Sequence, residues 1–511
     1  MYTLADLPRK GAARHGDRIA VVFEDTRLTY GELNRRVNQA AHALSQLGLK
    51  PRERITILSD NSARYLEVYL AAAKLAASVT PLNTRLSDPE LEHIVADSEA
   101  VAILVGDGYE QRATELLANV EGLRFGVSLD NEVDGFTGYE PALAQAPDHE
   151  PELADGPRQD ELAVLMYTGG TTGLPKGVML SHHNVMTATI ANVITGEFTR
   201  EDSTCHVLPM FHVAWWPILT MLLVGGTVVI NRRPDLGEIL RLIERERCTH
   251  MNLVPSIYGW LLDVAPAEAR DLRSLRTLNY SGSPFAVESL KRAIKVFGPI
   301  FAQGYGATES AGGPITYLAV EDHHLDGADS RLLASAGKAG ICSEVKVVDE
   351  RDEPVATGNV GEVCVRGEHI MVGYWKNPEL TDRALRGGWY HTGDMGYLDE
   401  SGFLFLTDRK SDMIITGGEN VYPTEVENSI YTHPDVLECS VVGMPDDRWG
   451  EVVQAVVVRR EGSQIDAAAI IDHCREQLAG YKCPNRVAFV ESVPKTAVGK
   501  TSRKAVKELI G

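Results

Sequence analysis

Hydrophobic and polar positions in the first part of the chain alternate between helical and strand periods. The run RLTYGELNRRVNQAAHALSQLGL is amphipathic with a helical period, and Thr29 and Gly48 supply its start and stop signals. The runs RITILSD, SVTPLN, AVAILVGD and ELAVLMYTGG are typical of strands, and ARYLEVYLAAAKLAA predicts another helix between them. Strands alternating with helices predict parallel α/β layers. We therefore expect an α/β fold with a large N-terminal domain of layered α/β subdomains.

The pattern changes after Ala336. Short strand-like runs with turn signals (KAGICSEVKVVDERDEPV, GEVCVRGE, GFLFLTDR) predict a small β-rich subdomain that ends near Thr407. Beyond the charged run DRKSD, the segments MIITGG, ECSVVGMP, VVQAVVV and RVAFVESVP read as strands, and PTEVENSIYTH and AAAIIDHCREQL read as helices. This predicts a small α+β C-terminal domain. We place the boundary between an N-terminal domain, 1–409, and a C-terminal domain, 410–511.

One uncharged run, VAWWPILTMLLVGGTVVI at 213–230, reaches the minimum length of a membrane span. Pro217 and the pair Gly225-Gly226 interrupt it, however, and β-branched residues follow the glycines. We therefore favour a buried helix, a turn and a strand over a transmembrane helix.

Charge and cysteine content narrow the function classes. The 511 residues include 50 Lys+Arg and 71 Asp+Glu, which gives a net charge of −21. Such a surface repels nucleic acid, so any phosphate site must be local. Seven cysteines occur without a CxxC pair, which argues against a disulfide framework or a zinc site. With no apolar signal sequence at the N-terminus, these features favour the cytoplasm.

The strongest chemical signal is YTGGTTGLPKG at 167–177, directly after a predicted strand. Glycines let backbone N–H groups point inward, threonine hydroxyls add donors and lysine adds charge, so the segment suits a loop around phosphate oxygens. It does not satisfy the Walker A pattern. The alternative is a flexible surface turn, and the Thr and Lys content favours the phosphate loop.

Three further segments carry weaker signals. In QGYGATES, 303–310, a tyrosine face could stack on a base and a carboxylate could hold a phosphate-bound divalent cation. In GWYHTGD, 388–394, an aspartate at a predicted strand end could accept ribose hydroxyls. PKTAVGKT, 494–501, lacks the first Walker glycine, and its lysines by themselves favour a solvated basic tail that includes Arg503.

Taken with LTYGEL at 28–33 and PMFH at 209–212, these segments resemble the adenylate-forming superfamily. That superfamily includes acyl-CoA synthetases, 4-coumarate–CoA ligases, firefly luciferase and nonribosomal adenylation domains. The motifs occur in the family's order along essentially the whole chain. The resemblance implies ATP-dependent activation of a carboxylic acid as acyl-AMP, release of pyrophosphate, and transfer of the acyl group to CoA by a mobile C-terminal domain.

The resemblance also implies roles for individual residues. Catalytic roles fall to Lys500, Thr308, Glu309 and His212. Contacts with ATP or AMP fall to Thr168, Gly169, Gly170, Thr171, Thr172, Gly173, Lys176, Ser281, Gly282, Ser283, Gly304, Tyr305, Gly306, Ala307, Asp394 and Arg409. Mg²⁺ is expected on Glu309, with Thr168 as a weaker ligand. CoA contacts fall to Gly417, Gly418 and Glu419.

The hinge of the family falls on Ser411, where Asp or Lys is usual, and Gly169 replaces a more common Ser. Hinge action is still expected at Ser411, but without the charged side chain that makes hinge contacts in relatives. Serine is small enough for a hinge, and glycine exchanges a hydroxyl donor for backbone freedom.

The acyl pocket is expected to be apolar. Amino-acid-activating relatives usually have Asp after the Phe of this motif, so His212 favours a plain carboxylic acid, although a core histidine is the alternative. The wall is expected to include Val213, Ala214, Trp215, Ala311, Gly312 and Gly313. The small residues would leave room for an apolar tail. Whether the indoles of Trp215 and Trp216 cap that room or pack in the core stays open.

The sequence thus predicts an AMP-forming acyl-CoA synthetase for a fatty or aryl acid, with ATP and CoA as co-substrates and Mg²⁺ as cofactor. Its partners are small molecules, with no nucleic acid and no transmembrane segment, and homodimer formation is left open. Two alternatives remain. One delivers the acyl group to a carrier protein or another acceptor, and the other is a non-catalytic acyl or nucleotide binder.

Overall fold

The computed structural model describes residues 2–170, 173–268, 270–409, 412–417, 419–446, 448–496 and 501–511.

The strands, in chain order, are β1 Ile19–Phe23, β2 Thr26–Thr29, β3 Arg54–Leu58, β4 Ser78–Pro81, β5 Ala100–Val105, β6 Phe125–Ser128, β7 Thr137–Gly138, β8 Leu162–Gly170, β9 Gly173–Ser181, β10 Ser203–His206, β11 Thr227–Ile230, β12 His250–Leu253, β13 Thr277–Ser281, β14 Phe301–Tyr305, β15 Thr316–Leu318, β16 Lys338–Ala339, β17 Glu344–Val348, β18 Gly361–Arg366, β19 Gly373–Tyr374, β20 Tyr390–Leu398, β21 Leu404–Arg409, β22 Ile414–Thr416, β23 Glu419–Val421, β24 Val436–Asp446, β25 Gly450–Arg459 and β26 Arg486–Phe489.

The α-helices are α1 Asp6–His15, α2 Tyr30–Gln46, α3 Ala63–Lys74, α4 Asp88–Asp97, α5 Glu110–Asn119, α6 Tyr139–Gln145, α7 His182–Thr195, α8 Trp216–Val224, α9 Leu236–Glu246, α10 Pro255–Glu268, α11 Val287–Phe297, α12 Pro378–Ala384, α13 Pro423–Tyr431, α14 Ala467–Arg475 and α15 Arg503–Ile510.

Two large sheets organise the first part of the chain, as the alternating pattern predicts. One has the order β16-β15-β14-β13-β12-β10-β11-β1-β2 and the other β19-β9-β8-β4-β3-β5-β6-β7. Helices α2, α3, α7 and α8 contribute to the core between the sheets. Helices α9, α10 and α11 cover the outer face of the first sheet, and α4 and α5 cover that of the second. The result is five alternating layers of helix and sheet.

Local sequence explains several element ends. Helix α2 starts at a capping box in which Thr29 and Glu32 satisfy each other's backbone N–H groups. Helix α8 ends at Gly225, whose φ of 88° lies in the left-handed region that favours glycine. The run 213–230 is therefore a short 3-10 turn, a helix, a turn and strand β11, which confirms the interpretation against a transmembrane helix. Within the described residues, no helix has both the length and the apolar character needed to cross a bilayer.

Two smaller sheets follow. Strands β17, β18, β20 and β21 form an antiparallel four-stranded sheet, which confirms the β-rich subdomain. Strand β16 instead pairs with β15 of the first large sheet, and β19 pairs with β9 of the second. The chain of this subdomain therefore contributes a strand to each large sheet. The last sheet is built on the antiparallel pair β24–β25, with α13 and α14 on one face and α15 on the other. Strand β23 and helix α15 were not predicted from the sequence.

Candidate active site

The glycine- and threonine-rich segment lies in the β-hairpin formed by strands β8 and β9. Strands β8 and β9 continue into it, pairing Thr168 with Lys176 and Gly170 with Gly173. Antiparallel pairing extends this far because the backbone groups of both arms satisfy each other. The hydroxyl of Thr168 is buried and has no hydrogen-bond partner among the described residues. Thr171 and Thr172 lie outside the described residues.

Lys176 and Glu309 come together at the base of this hairpin. The Lys176 Nζ lies 3.3 Å from Oε1 of Glu309 and donates to the hydroxyl of Tyr374 at 2.8 Å. That hydroxyl in turn donates to the same Glu309 oxygen at 2.7 Å. Burial and the adjacent Glu309 carboxylate raise the pKa of Tyr374, so its phenol stays protonated. Sequence reasoning missed Tyr374, because it lies outside every recognised motif and 65 positions from Glu309.

A second constellation joins Tyr305, Asp394 and Arg409. The Tyr305 hydroxyl donates to Oδ2 of Asp394 at 2.5 Å, and Nε of Arg409 lies 3.4 Å from Oδ1 of the same carboxylate. Strand pairing explains the second contact, since Asp394 on β20 lies opposite Arg409 on β21. Asp394 therefore lies inside strand β20, whereas the sequence predicted it at a strand end. Burial and the Asp394 carboxylate raise the pKa of Tyr305 well above that of a free phenol.

The carboxyl ends of the parallel strands bring the remaining nucleotide candidates together. Ser281 ends β13 and is paired with Gly304 on β14, and Tyr305 ends β14. A Cβ on Gly304 would meet nothing within 4 Å, so this edge is open. Residues 306–307 lead into a 3-10 turn at Thr308–Ser310, while residues 282–283 follow β13. Ligands of open α/β sheets bind at this kind of edge.

The proposed acyl wall is more tightly packed than the sequence suggested. A Cβ on Gly312 would lie 3.0 Å from the carbonyl oxygen of Val213, and one on Gly313 would lie 2.9 Å from Cδ2 of His369. Both glycines therefore permit close packing against Val213 and His369, where a larger side chain would crowd its neighbours. Ala311 is buried and adopts a left-handed φ of 54°.

Trp215 belongs to the core. Its side chain is 2% exposed and stacks on Tyr69 with ring centroids 4.6 Å apart. Trp216 is only partly buried and meets Phe198 edge-on at 6.3 Å. Trp215 therefore packs in the core and does not cap the acyl pocket. Trp216, Ala214 and Val213 remain as the aromatic and apolar candidates for the pocket wall.

His212 precedes the 3-10 turn Val213–Trp215. Its ring lies edge-on to Phe211, with centroids 4.7 Å apart, and its side chain is partly exposed. It is therefore not a fully buried core histidine.

The C-terminal candidates fall in two groups. Gly417 has a φ of 59° and donates its N–H to the carbonyl of Trp449 at 2.8 Å, and Glu419 is exposed at the start of β23. The other group lies outside the described residues: Gly418, Ser411 and Lys500. The solvated basic tail is wrong for Lys495, which pairs with Glu438 at 2.8 Å and lies over the ring of Trp260. It is also wrong for Arg503, which is only partly exposed and pairs with Asp408, Asp412 and Glu427.

The described residues contain no cluster of three or more His, Cys, Asp or Glu side chains that could hold a metal ion by themselves. Glu309 and Thr168 supply hard oxygen donors, which suit Mg²⁺ when substrate phosphates complete its coordination. The donor set therefore fits a nucleotide-bound Mg²⁺ and not a metal held by the protein alone.

Comparison with known proteins identifies the family of this chain. The model of the AMP-binding enzyme family matches residues 8–375, and the model of the AMP-binding enzyme C-terminal domain matches residues 425–500. The chain belongs to the AMP-binding enzyme family.

Individual relatives of this chain include CoA ligases and an amide bond synthetase. The chain is 37% identical to a feruloyl-CoA synthase of an Amycolatopsis species, over 99% of this chain and 96% of that one. It is 36% identical to a medium/long-chain-fatty-acid–CoA ligase of Mycobacterium tuberculosis, over 97% and 88%. Among solved structures, an amide bond synthetase of Marinactinospora thermotolerans superposes with a TM-score of 0.90 at 30% identity, over 99% and 100%.

Proposed function

We propose that this protein is an AMP-forming acid–thiol ligase that converts an apolar carboxylic acid, ATP and CoA into acyl-CoA, AMP and pyrophosphate. The observation that carries the proposal is the meeting of two constellations at one sheet edge. Lys176 and Glu309 can face the phosphates of ATP, while Asp394 and Arg409 can face the ribose hydroxyls. Tyr305, which touches Asp394, offers an aromatic face to the adenine.

The first step requires two anions to meet. The acid's carboxylate oxygen attacks the α-phosphorus of ATP, the bond to the β-phosphate oxygen breaks, and pyrophosphate leaves with the bonding electrons. Cationic groups lower the barrier by offsetting the charge. We assign this task to Lys176 at the β- and γ-phosphates and to Lys500 between the carboxylate and the α-phosphate. Thr308 is assigned to the α-phosphate.

Glu309, with Thr168 as a second oxygen donor, is the proposed site of Mg²⁺. Bound there, Mg²⁺ would withdraw charge from the phosphate oxygens and help pyrophosphate to leave. Lys176 already neutralises part of the Glu309 carboxylate, so ATP and metal would compete with this ion pair for the same groups.

In the second step, the thiol sulfur of CoA attacks the acyl carbon, AMP leaves, and the thiol proton is released. We propose that a C-terminal domain, 410–511, rotates about Ser411 against an N-terminal domain, 1–409. This rotation would exchange Lys500 for the segment 417–419. His212 is proposed to stand between the acyl site and the thiol. Homodimer formation is not needed for either step.

The acid is proposed to be a fatty or aryl acid that binds beside Val213, Ala214 and residues 311–313. His212 does not supply the carboxylate that would pair with an amino group, which argues against amino acids. An alternative acceptor is favoured by one observation, the close fit to an amide bond synthetase. An amine or a carrier-protein thiol could then replace CoA in the second step.

The test is acid-dependent pyrophosphate release with benzoic, ferulic, octanoic and palmitic acids and phenylalanine. We expect release with an aryl or fatty acid and none with phenylalanine, followed by thioester formation with CoA. Comparing CoA, a pantetheinylated carrier and an amine identifies the acceptor. Acid-independent pyrophosphate release, or none with any acid, would overturn the proposal.

Substitution of the assigned lysine sharpens the test. Lys500→Ala should lower acid-dependent pyrophosphate release far more than thioester formation from supplied acyl-adenylate, since only the first step joins two anions. Lys504→Ala, a nearby lysine with no assigned role, is the matched control. Equal losses in both half-reactions would contradict the role of Lys500.

A further inference from the structure

Arg503, at the start of α15, contacts three carboxylates, of which Asp408 is buried and Asp412 and Glu427 are partly exposed. Its side chain is 19% exposed, and Nη1 contacts Oδ1 of Asp408 at 2.5 Å and Oδ2 of Asp412 at 3.2 Å. Its Nη2 contacts both carboxylate oxygens of Glu427 at 3.1 Å. The two terminal nitrogens thus reach different carboxylates, Asp408 through Nη1 and Glu427 through Nη2, which suits the forked guanidinium better than a single ammonium group.

Asp408 joins this cluster to the strand that carries Arg409. The Asp408 side chain is 2% exposed. Its Oδ2 accepts the backbone N–H of Thr424 at 2.9 Å and the hydroxyl of Thr424 at 3.1 Å, while Oδ1 accepts the N–H of Arg409 at 2.8 Å. Asp408 belongs to β21 of the four-stranded sheet, whereas Thr424 and Arg503 lie on α13 and α15 of the last sheet. The Asp408 carboxylate therefore connects the four-stranded sheet to the helices that pack on the last sheet.

The cluster depends on its arginine. The buried carboxylate of Asp408 is stable as an anion only while the guanidinium of Arg503 pairs with it, since an uncompensated buried charge is strongly destabilising. Burial raises the pKa of Glu427, and Arg503 acts against that rise. Separating Arg503 from Asp408 would thus leave Asp408 without its guanidinium partner, so this contact favours the arrangement in which the two sheets meet.

We propose that Arg503 is a positioning residue for the adenylation step, which docks the segment carrying Lys500 against Asp408. Lys500 precedes Arg503 by three positions, and Asp408 precedes the ribose candidate Arg409 by one. The proposal rests on the proposed function above. Asp408 lies before the proposed hinge Ser411 and Arg503 lies after it, so rotation there separates the pair. The contact of Arg503 with Glu427 stays intact, because both residues follow the hinge.

The ion pairs of Arg503 with Asp408 and with Glu427 give a matched pair of variants. Asp408→Asn removes the charge across the hinge but keeps an oxygen for the Arg409 N–H. Glu427→Gln weakens the ion pair with Arg503, in which both residues follow the hinge. We expect Asp408→Asn to lower acid-dependent pyrophosphate release about tenfold while thiolysis of supplied acyl-adenylate changes by less than about twofold. Glu427→Gln should change both half-reactions by the same factor, in line with any loss of folded protein.

Two further measurements separate positioning from general stability. Arg503→Lys keeps the charge and should recover part of the adenylation rate that Arg503→Met loses. Trypsin cleavage after Arg409 or Lys410, measured on the intact protein without substrates, should be faster in Asp408→Asn than in Glu427→Gln. This readout needs no activity, so it tests the docking even where the proposed function fails. Equal losses in both half-reactions for Asp408→Asn, or unchanged cleavage, would overturn the inference.

Discussion

Lys176 and Glu309 stand 133 positions apart in the chain, yet their side chains meet at 3.3 Å, bridged by the hydroxyl of Tyr374. The lysine comes from a hairpin of one large sheet and the glutamate from a turn after the last parallel strand of the other. The pair therefore marks the line along which the two sheets converge. An ion pair at this point is available for exchange with phosphate and metal when nucleotide arrives.

The bridging hydroxyl provides a direct test of this arrangement. Tyr374→Phe removes two hydrogen bonds while keeping the ring beneath Lys176. Because Lys176 and Glu309 are both proposed to contact MgATP, we expect the apparent affinity for MgATP to fall about three- to tenfold, with a smaller change in the KM for the acid. Pyrophosphate release titrated with MgATP and with acid gives both values. Tyr481→Phe, at an exposed tyrosine, is the control. Unchanged MgATP dependence would show that the bridge does not serve the nucleotide.

Tyr305 should act through both its face and its hydroxyl. Tyr305→Phe loses the bond to Asp394 but keeps a stacking surface, and we expect the KM for ATP to rise about three- to tenfold. Tyr305→Ala also removes the ring and should raise the KM for ATP further. The measurement is pyrophosphate release at saturating acid. A similar KM for the two variants would mean that the ring face makes no contact with adenine.

The two neighbouring indoles should separate stability from specificity. Trp215→Ala opens a cavity in the core beside Tyr69 and should lower the free energy of unfolding by about 3–5 kcal/mol. Trp216→Ala, at a partly exposed site, should cost less stability and shift the relative rates across the acid panel. Denaturant unfolding and the panel assay measure the two effects. If Trp215→Ala leaves stability intact but changes acid preference, its assignment to the core is wrong.

Buried histidines predict the acid sensitivity of the fold. Burial lowers the pKa of His182, His206, His323 and His369 to about 4, below the 6.5 of an unfolded chain. Below pH 6.5 the unfolded chain therefore binds protons that the folded chain excludes. The stability that these histidines contribute is complete above pH 6.5 and is lost as the pH falls toward 4, by about 1.4 kcal/mol per pH unit for each histidine.

Denaturant unfolding at several pH values between 6.5 and 5 tests this sign. His206→Asn keeps a side-chain N–H donor for the carbonyl of Leu208 and removes one titrating group. Its free energy of unfolding should fall less steeply with decreasing pH than that of the parent chain, whatever its absolute value. The difference in slope should correspond to the uptake of about one fewer proton on unfolding. Parallel slopes for the two proteins would contradict the buried, neutral state of His206.

Much of this protein follows from local sequence. Periodicity was sufficient for the layered α/β region, the β-rich sheet and the small last module, because burial of one face imposes a repeat on each helix and strand. The capping box at Thr29 and the glycine stop at Gly225 were also readable, since helix ends need nearby side-chain or backbone partners. The candidate nucleotide residues were found because a short loop must carry its glycines, hydroxyls and charge in sequence.

Tertiary structure decided the contacts that join distant segments. Tyr374 and Arg503 carry no local signal, as an isolated tyrosine and an arginine in a basic tail are ordinary surface residues by pattern. Only packing showed the phenol between Lys176 and Glu309, and the guanidinium among three carboxylates. Packing also placed Trp215 in the core and brought the backbone of Val213 against Gly312. Burial and charge pairing depend on which segments the sheets bring together, and that is a property of the whole fold and not of any one stretch of chain.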